Sequence, residues 1–113
     1  MASRSIYAGD TYPVIKLQLS DETGVLDLTP AQSTLVIFDG AEFVFSGYGA
    51  AINPPEADPD GIHHWNLQYV LTTGNTANPD VYKIFAKVTW SALNIETFAT
   101  GDTLTITPAP PTS

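Results

Sequence analysis

Apolar and polar residues alternate along most of this chain with a period of two. In residues 11–19, Ile15, Leu17 and Leu19 alternate with Lys16 and Gln18, which gives an extended strand one apolar and one wet face. Ser20-Asp21-Glu22-Thr23-Gly24 is turn chemistry. Leu26 and Leu28 then flank Asp27 in a short returning piece that ends at Thr29-Pro30, because proline cannot donate to a central ladder. Within residues 34–38, Leu35-Val36-Ile37-Phe38 is a continuous apolar run, the pattern of a strand covered on both faces. Asp39-Gly40 follows, a pair suited to the positive φ angles of a two-residue type I′ turn, and predicts a hairpin with residues 41–46.

Residues 47–61 are rich in Gly, Pro, Asn and Asp and read mainly as an excursion, with a brief edge pairing at 50–52. In residues 62–71, Trp65, Leu67, Tyr69 and Leu71 share one face while His64, Asn66 and Gln68 take the other. A polar loop at 72–80 precedes the clearest amphipathic strand, 81–90, where Tyr82, Ile84, Ala86, Val88 and Trp90 oppose Lys83 and Lys87. A turn at 91–94 leads to a strand at 95–98, and Gly101-Asp102 separates this from a last strand at 103–107. No window of a dozen residues keeps a helical apolar period free of Pro or Gly. The expectation is one all-β domain over residues 1–113, an immunoglobulin-like antiparallel β-sandwich of seven or eight short strands at 11–107. Residues 1–10 form an extended N-terminal arm and 108–113 a Pro-rich, polyproline-like C-terminal tail. A small closed β-barrel is the structural alternative.

Composition then narrows the function. Four Lys and Arg against 12 Asp and Glu give a formal charge of -8, too few cations for the phosphate contacts that nucleic-acid binding needs and repulsive to anionic lipid. Neither nucleic acid nor membrane is an expected partner. No apolar run approaches the roughly 18 residues of a membrane span, and Met1-Ala2-Ser3-Arg4-Ser5 leads into no signal core. Without cysteine there is no disulfide, thiol nucleophile or Cys-ligated metal. Charged residues are only 14% of the chain, which leaves wide neutral surface for protein contacts.

Chemistry is sparse. His63 and His64 are adjacent on a strand and point to opposite faces, so no metal site is expected even with Asp58 and Asp60 nearby. Asp21, Asp27, Asp39, Asp60, Asp80 and Asp102 sit where aspartate turns or caps backbone. No nucleophile elbow, phosphate loop or dinucleotide fingerprint occurs, so no enzyme, catalytic residue or cofactor is expected. Trp65, Tyr69, Tyr82 and Trp90 read as core; a carbohydrate platform would use Tyr48 or Tyr7 instead. Residues outside any core period are the expected contact surface: Ile6, Tyr7 and Tyr12 in the arm, Tyr48 and Ile52 in the loop, and Pro108, Pro110 and Pro111 in the tail.

The order of motifs is distinctive. Gly9-Asp10-Thr11-Tyr12-Pro13, the alternation to Leu19, Asp21-Glu22-Thr23-Gly24 and Val25-Leu26-Asp27-Leu28-Thr29 resemble the N-terminal domain family of phage baseplate upper proteins. Trp65 on a strand, a spacer at 73–79, Val81-Tyr82 and Glu96-Thr97-Phe98 continue the likeness, over roughly residues 9–107. Ser91-Ala92-Leu93-Asn94 departs from the family's Asp-Gly type turn, and Ala99 from its usual proline. The resemblance implies an immunoglobulin-like module of a tailed-bacteriophage virion, made in the host cytoplasm without a signal peptide. Its partners would be other phage structural proteins, in the tail or baseplate as an adaptor or on the capsid as a decoration or cement protein. It would act as a symmetric homo-oligomer or in multiple copies, contacting neighbours by edge strands, loops and arms. A carbohydrate-binding or adhesion β-sandwich is the alternative.

Overall fold

The computed structural model describes residues 3–12 and 14–109. Their period-two pattern becomes strands: β1 (Ser3–Tyr7), β2 (Ile15–Leu17), β3 (Ser20–Asp21), β4 (Gly24–Val25), β5 (Ser33–Asp39), β6 (Val44–Tyr48), β7 (Ala50–Ala57), β8 (His64–Tyr69), β9 (Asp80–Ser91) and β10 (Asn94–Thr107). The fold is all-β, with one short 3-10 turn at Asn75–Ala77 and no α-helix among the described residues. A five-stranded sheet runs β1-β10-β9-β5-β6 and a three-stranded sheet β2-β8-β7, with β3-β4 a small separate hairpin. The five-stranded sheet is mixed, because β1 lies parallel to β10.

One core fills the space between the two sheets. Val36 and Phe38 of β5, Tyr82, Ile84, Ala86 and Val88 of β9, and Leu104 and Ile106 of β10 meet Ile15, Leu17, Leu67 and Tyr69 of the smaller sheet. Each fully buried aliphatic side chain here contributes about 1.5–3 kcal/mol. Phe38 is the hub: it stacks on Phe45 at 4.5 Å between ring centroids and reaches across to Tyr69 at 5.4 Å. Tyr69 and Tyr82 bury their rings and pass their hydroxyls outward to Asn75 Oδ1 at 2.8 Å and the Asn78 carbonyl at 2.7 Å, which ties the 72–79 loop to the core.

The acidic turns form as their residue types dictate. Asp21 accepts the backbone and side-chain donors of Thr23, and Asp27 repeats the arrangement with Thr29, so each Asp-x-Thr closes a tight turn. Asp80 accepts the Glu42 and Val81 N–H groups. Two acids behave otherwise. Asp39 is an exposed strand residue paired with Val44 and Lys83, and Asp102 is buried.

Four expectations are corrected. Residues 3–7 are not a free arm but the edge strand β1, because parallel pairing with β10 satisfies their backbone and lets Ile6 into the core. The hairpin turn is not at Asp39-Gly40: Gly40 donates to the Phe43 carbonyl at 2.8 Å, so Ala41 and Glu42 are the turn residues. A Cβ on Gly40 would come within 2.5 Å of Asp80 Oδ2, so this glycine allows close approach. The 47–61 excursion contains an eight-residue strand, β7, whose pairing with β8 is interrupted between Ala51 and Glu56, where Pro54 and Pro55 lie. Finally, Gly101-Asp102 does not separate two strands. It sits in a register shift inside the single β10, with Gly101 at φ +77°.

Candidate protein-interaction surface

Strand register specifies what the outward face of the five-stranded sheet displays. Reading across from β6, one row is Val44, Asp39, Lys83 and Thr103; the next is Ser46, Ile37, Phe85 and Ala99; the third is Tyr48, Leu35, Lys87 and Thr97. Ser33, Thr89 and Ile95 complete the last. A sheet with one solvated face normally alternates apolar-in and polar-out. Here Leu35, Ile37 and Phe85 are half-buried on the solvent side, and Val44, Tyr48, Val81 and Ile95 are exposed there. The continuous run Leu35-Val36-Ile37-Phe38 thus supplies both faces of β5, one to the core and one to an apolar surface.

The register shift in β10 adds relief to this face. Beside Phe85 it opens a depression of about 280 Å³ lined by Phe85, Ala99, Gly101, Thr103 and the Lys83 stem. An apolar anchor from a partner would fit such a socket. The face is also electrostatically distinct: its charged strand residues are Lys83, Lys87 and Asp39, whereas the whole chain carries -8.

The expected contact residues divide. Tyr7, Tyr12 and Tyr48 are exposed, with Tyr48 at 73% and Tyr12 at 81%. Ile52 is half-buried and Pro108 exposed. Ile6 is 6% exposed and belongs to the core. Pro110 and Pro111 lie outside the described residues. Tyr7 on β1 and Tyr48 on β6 occupy opposite edges of the sheet, four strand spacings or about 19 Å apart across it and further separated along the strands, so they form no shared carbohydrate platform. Alternation along 81–90 sets Phe85 on the face of Lys83 and Lys87, and alternation in the run Leu35-Val36-Ile37-Phe38 is the available signal for Leu35 and Ile37. It gave no means of saying which side met solvent.

A polar cluster closes one end of the sandwich. The Trp65 ring lies parallel to His63 at 4.8 Å, and the Arg4 guanidinium carbon is 5.9 Å from the Trp65 ring centre. Arg4 Nη2 donates to the Lys16 carbonyl at 2.5 Å, and Nη1 lies 3.7 Å from Asp102 Oδ2. One side chain thereby binds β1 to β2, β8 and β10. The adjoining cavity, about 200 Å³, is lined by Gln18, Ile62, His63, Trp65, Thr100 and Asp102.

Asp58, Asp60 and His63 bring one ligand atom each within 4.8 Å of one another. His64 lies outside this group, and its backbone N–H donates to Gln18 Oε1 at 2.7 Å. Asp60 is held to about 2 by the Ile62 N–H, then by the His63 ring and N–H. Its Oδ2 is 2.7 Å from His63 Nδ1. These three are the residues that could hold a cation, one donor short of a closed four-ligand zinc set; what they visibly do is close the 58–63 loop.

Comparison with protein-family models, with curated proteins and with solved structures finds no match to this chain.

Proposed function

We propose that this chain is a non-enzymatic structural module of a tailed-phage particle that attaches to other virion proteins through the outward face of its five-stranded sheet. The observation that carries the reading is the band of Leu35, Ile37, Phe85, Tyr48, Val44 and Ile95 on the solvent side, where alternation would place polar residues. The resemblance of the motif order to the baseplate upper protein family is what suggests the virion context. A tail or baseplate adaptor and a capsid decoration or cement protein make the same demand on this surface: a charge-poor, partly apolar face with a socket for one anchor.

The test is incorporation. Particles purified from the source phage should contain the chain, detected by mass spectrometry, and the double variant Tyr48→Ser, Ile95→Ser should be depleted from them. Both side chains are substantially exposed, so each substitution should change stability by less than about 0.5 kcal/mol. Absence of the wild-type chain from particles would overturn the virion reading. Undiminished incorporation of a folded double variant would remove the sheet face from it.

A further inference from the structure

Sheet edges expose unpaired N–H and C=O groups, and proteins usually guard them with very short strands, inward charges, prolines or bulges. Three of the four edges of the two facing sheets are guarded in these ways. β2 has only three residues, β1 turns the charge of Arg4 inward, and β7 carries Pro54, Pro55, Glu56 and a register shift. β6 has none of these devices. Its sequence is Val44-Phe45-Ser46-Gly47-Tyr48, without charge or proline, and its ladder to β5 is unbroken. Phe43, Val44 and Tyr48 are three of the ten exposed large hydrophobics among the described residues.

The backbone directions follow from the ladder. Gly40 donates to the Phe43 carbonyl and Gly49 to the Thr34 carbonyl, so residues 43, 45, 47 and 49 address β5. By antiparallel alternation, Val44, Ser46 and Tyr48 aim their N–H and C=O groups outward. The geometry points to β6 as a self-pairing edge: β6 of a second copy adds antiparallel to it about a twofold axis at Ser46. This goes beyond the virion reading and does not depend on it.

The register is self-complementary. Ser46 meets Ser46 of the second copy, and Val44 meets Tyr48 twice, so every outward N–H and C=O of these residues is paired. On the outer face Tyr48 lies against Val44, a favourable aromatic and β-branched pair. On the inner side Phe45 falls opposite Gly47, which leaves it room. Such a pairing extends the outward apolar face through both copies. Five residues of strand bury less than the roughly 800 Å² per partner of a standard interface, so the dimer is weak in dilute solution and gains from neighbouring contacts in an assembly.

Because the chain has no cysteine, Ser46→Cys introduces a single thiol. At a hydrogen-bonded antiparallel pair the Cα atoms stand about 5.5 Å apart, within disulfide range. Under mild oxidation, Ser46→Cys should form covalent dimer about tenfold faster than the exposed control Ser91→Cys, reflecting effective concentration at the axis. In sedimentation equilibrium, Ser46→Lys, verified as folded by circular dichroism, should weaken dimerisation about fivefold, the size of one like-charge cross-strand pair. The inference is overturned if the wild-type chain stays monomeric to its solubility limit with both thiols reacting at one rate. A dimer indifferent to both Ser46 variants would also overturn it, by placing the contact elsewhere.

Discussion

The carboxamide of Asn66 grips the backbone of Leu19 from both sides. Asn66 Oδ1 accepts the Leu19 N–H at 2.8 Å, and Nδ2 donates to the Leu19 carbonyl at 2.9 Å and to the Leu26 carbonyl at 2.8 Å. Asn66 is 1% exposed, although alternation along β8 assigns it to the solvent side. It is buried because the chain on either side of the β3-β4 hairpin folds over it, and Leu19 and Leu26 need partners for their backbone groups.

Replacing Asn66 by Ala strands the Leu19 N–H and the Leu26 carbonyl, while the Leu19 carbonyl keeps the Leu26 N–H at 3.0 Å. At about 1–3 kcal/mol for each stranded buried group, the expected loss is about 3 kcal/mol. Urea unfolding should show a lower midpoint with an unchanged slope. Asn66→Asp should be no better at neutral pH, because a carboxylate cannot donate to the two carbonyls.

Arg4 secures β1. Its side chain is 16% exposed and Asp102's is 9%, so the pair is largely desolvated. Arg4→Ala removes the cation beside a buried carboxylate as well as the contact over Trp65, and the expected cost is about 3 kcal/mol. Hydrogen exchange at residues 5–7 should accelerate more than at β9, and Trp65 fluorescence should shift. Pairing Arg4→Met with Asp102→Leu should recover much of the loss.

Gly47 faces inward. A Cβ there would come within 2.5 Å of Tyr69 Oη and 2.7 Å of Cε1. Tyr69 is held by Phe38 and Asn75 and cannot yield cheaply. Gly47→Ala should therefore cost about 1–3 kcal/mol, read as a fall in melting temperature, whereas Ser46→Ala next to it should change little.

Acid should loosen the turns before it unfolds the core. Asp60 is lowered from 3.8 to about 2, and Asp21, Asp27 and Asp80 are lowered in the same direction, chiefly by hydrogen bonds from Thr23, Thr29 and the Glu42 N–H respectively. A depressed folded pKa contributes stability above the unfolded value and loses it as pH falls through the folded one. The 58–63 loop should accordingly hold down to about pH 4 and weaken between 4 and 2. Carboxyl carbon titration by NMR should give Asp60 a midpoint near 2, and Asp60→Asn should remove the loop's acid response.

The all-β class and most strand positions were legible because alternation is local: Tyr82, Ile84, Ala86 and Val88 must share a face on any extended backbone. The acid turns were legible for the same reason, since Asp21 and Asp27 find their donors two residues away. Tertiary structure decided whatever depends on a distant partner. Ser3 pairs with Thr103 across the whole chain, so β1 looked like an arm. Alternation puts Asn66 on the face opposite Trp65 and Leu67, and the partners that bury it there lie 40 and 47 residues away. Asp102 looked like a turn residue until Arg4 was placed beside it. The outward apolar face belongs to this second kind: sequence shows that Leu35 and Ile37 oppose Val36 and Phe38, but only the packing of the smaller sheet against one side determines which pair meets solvent.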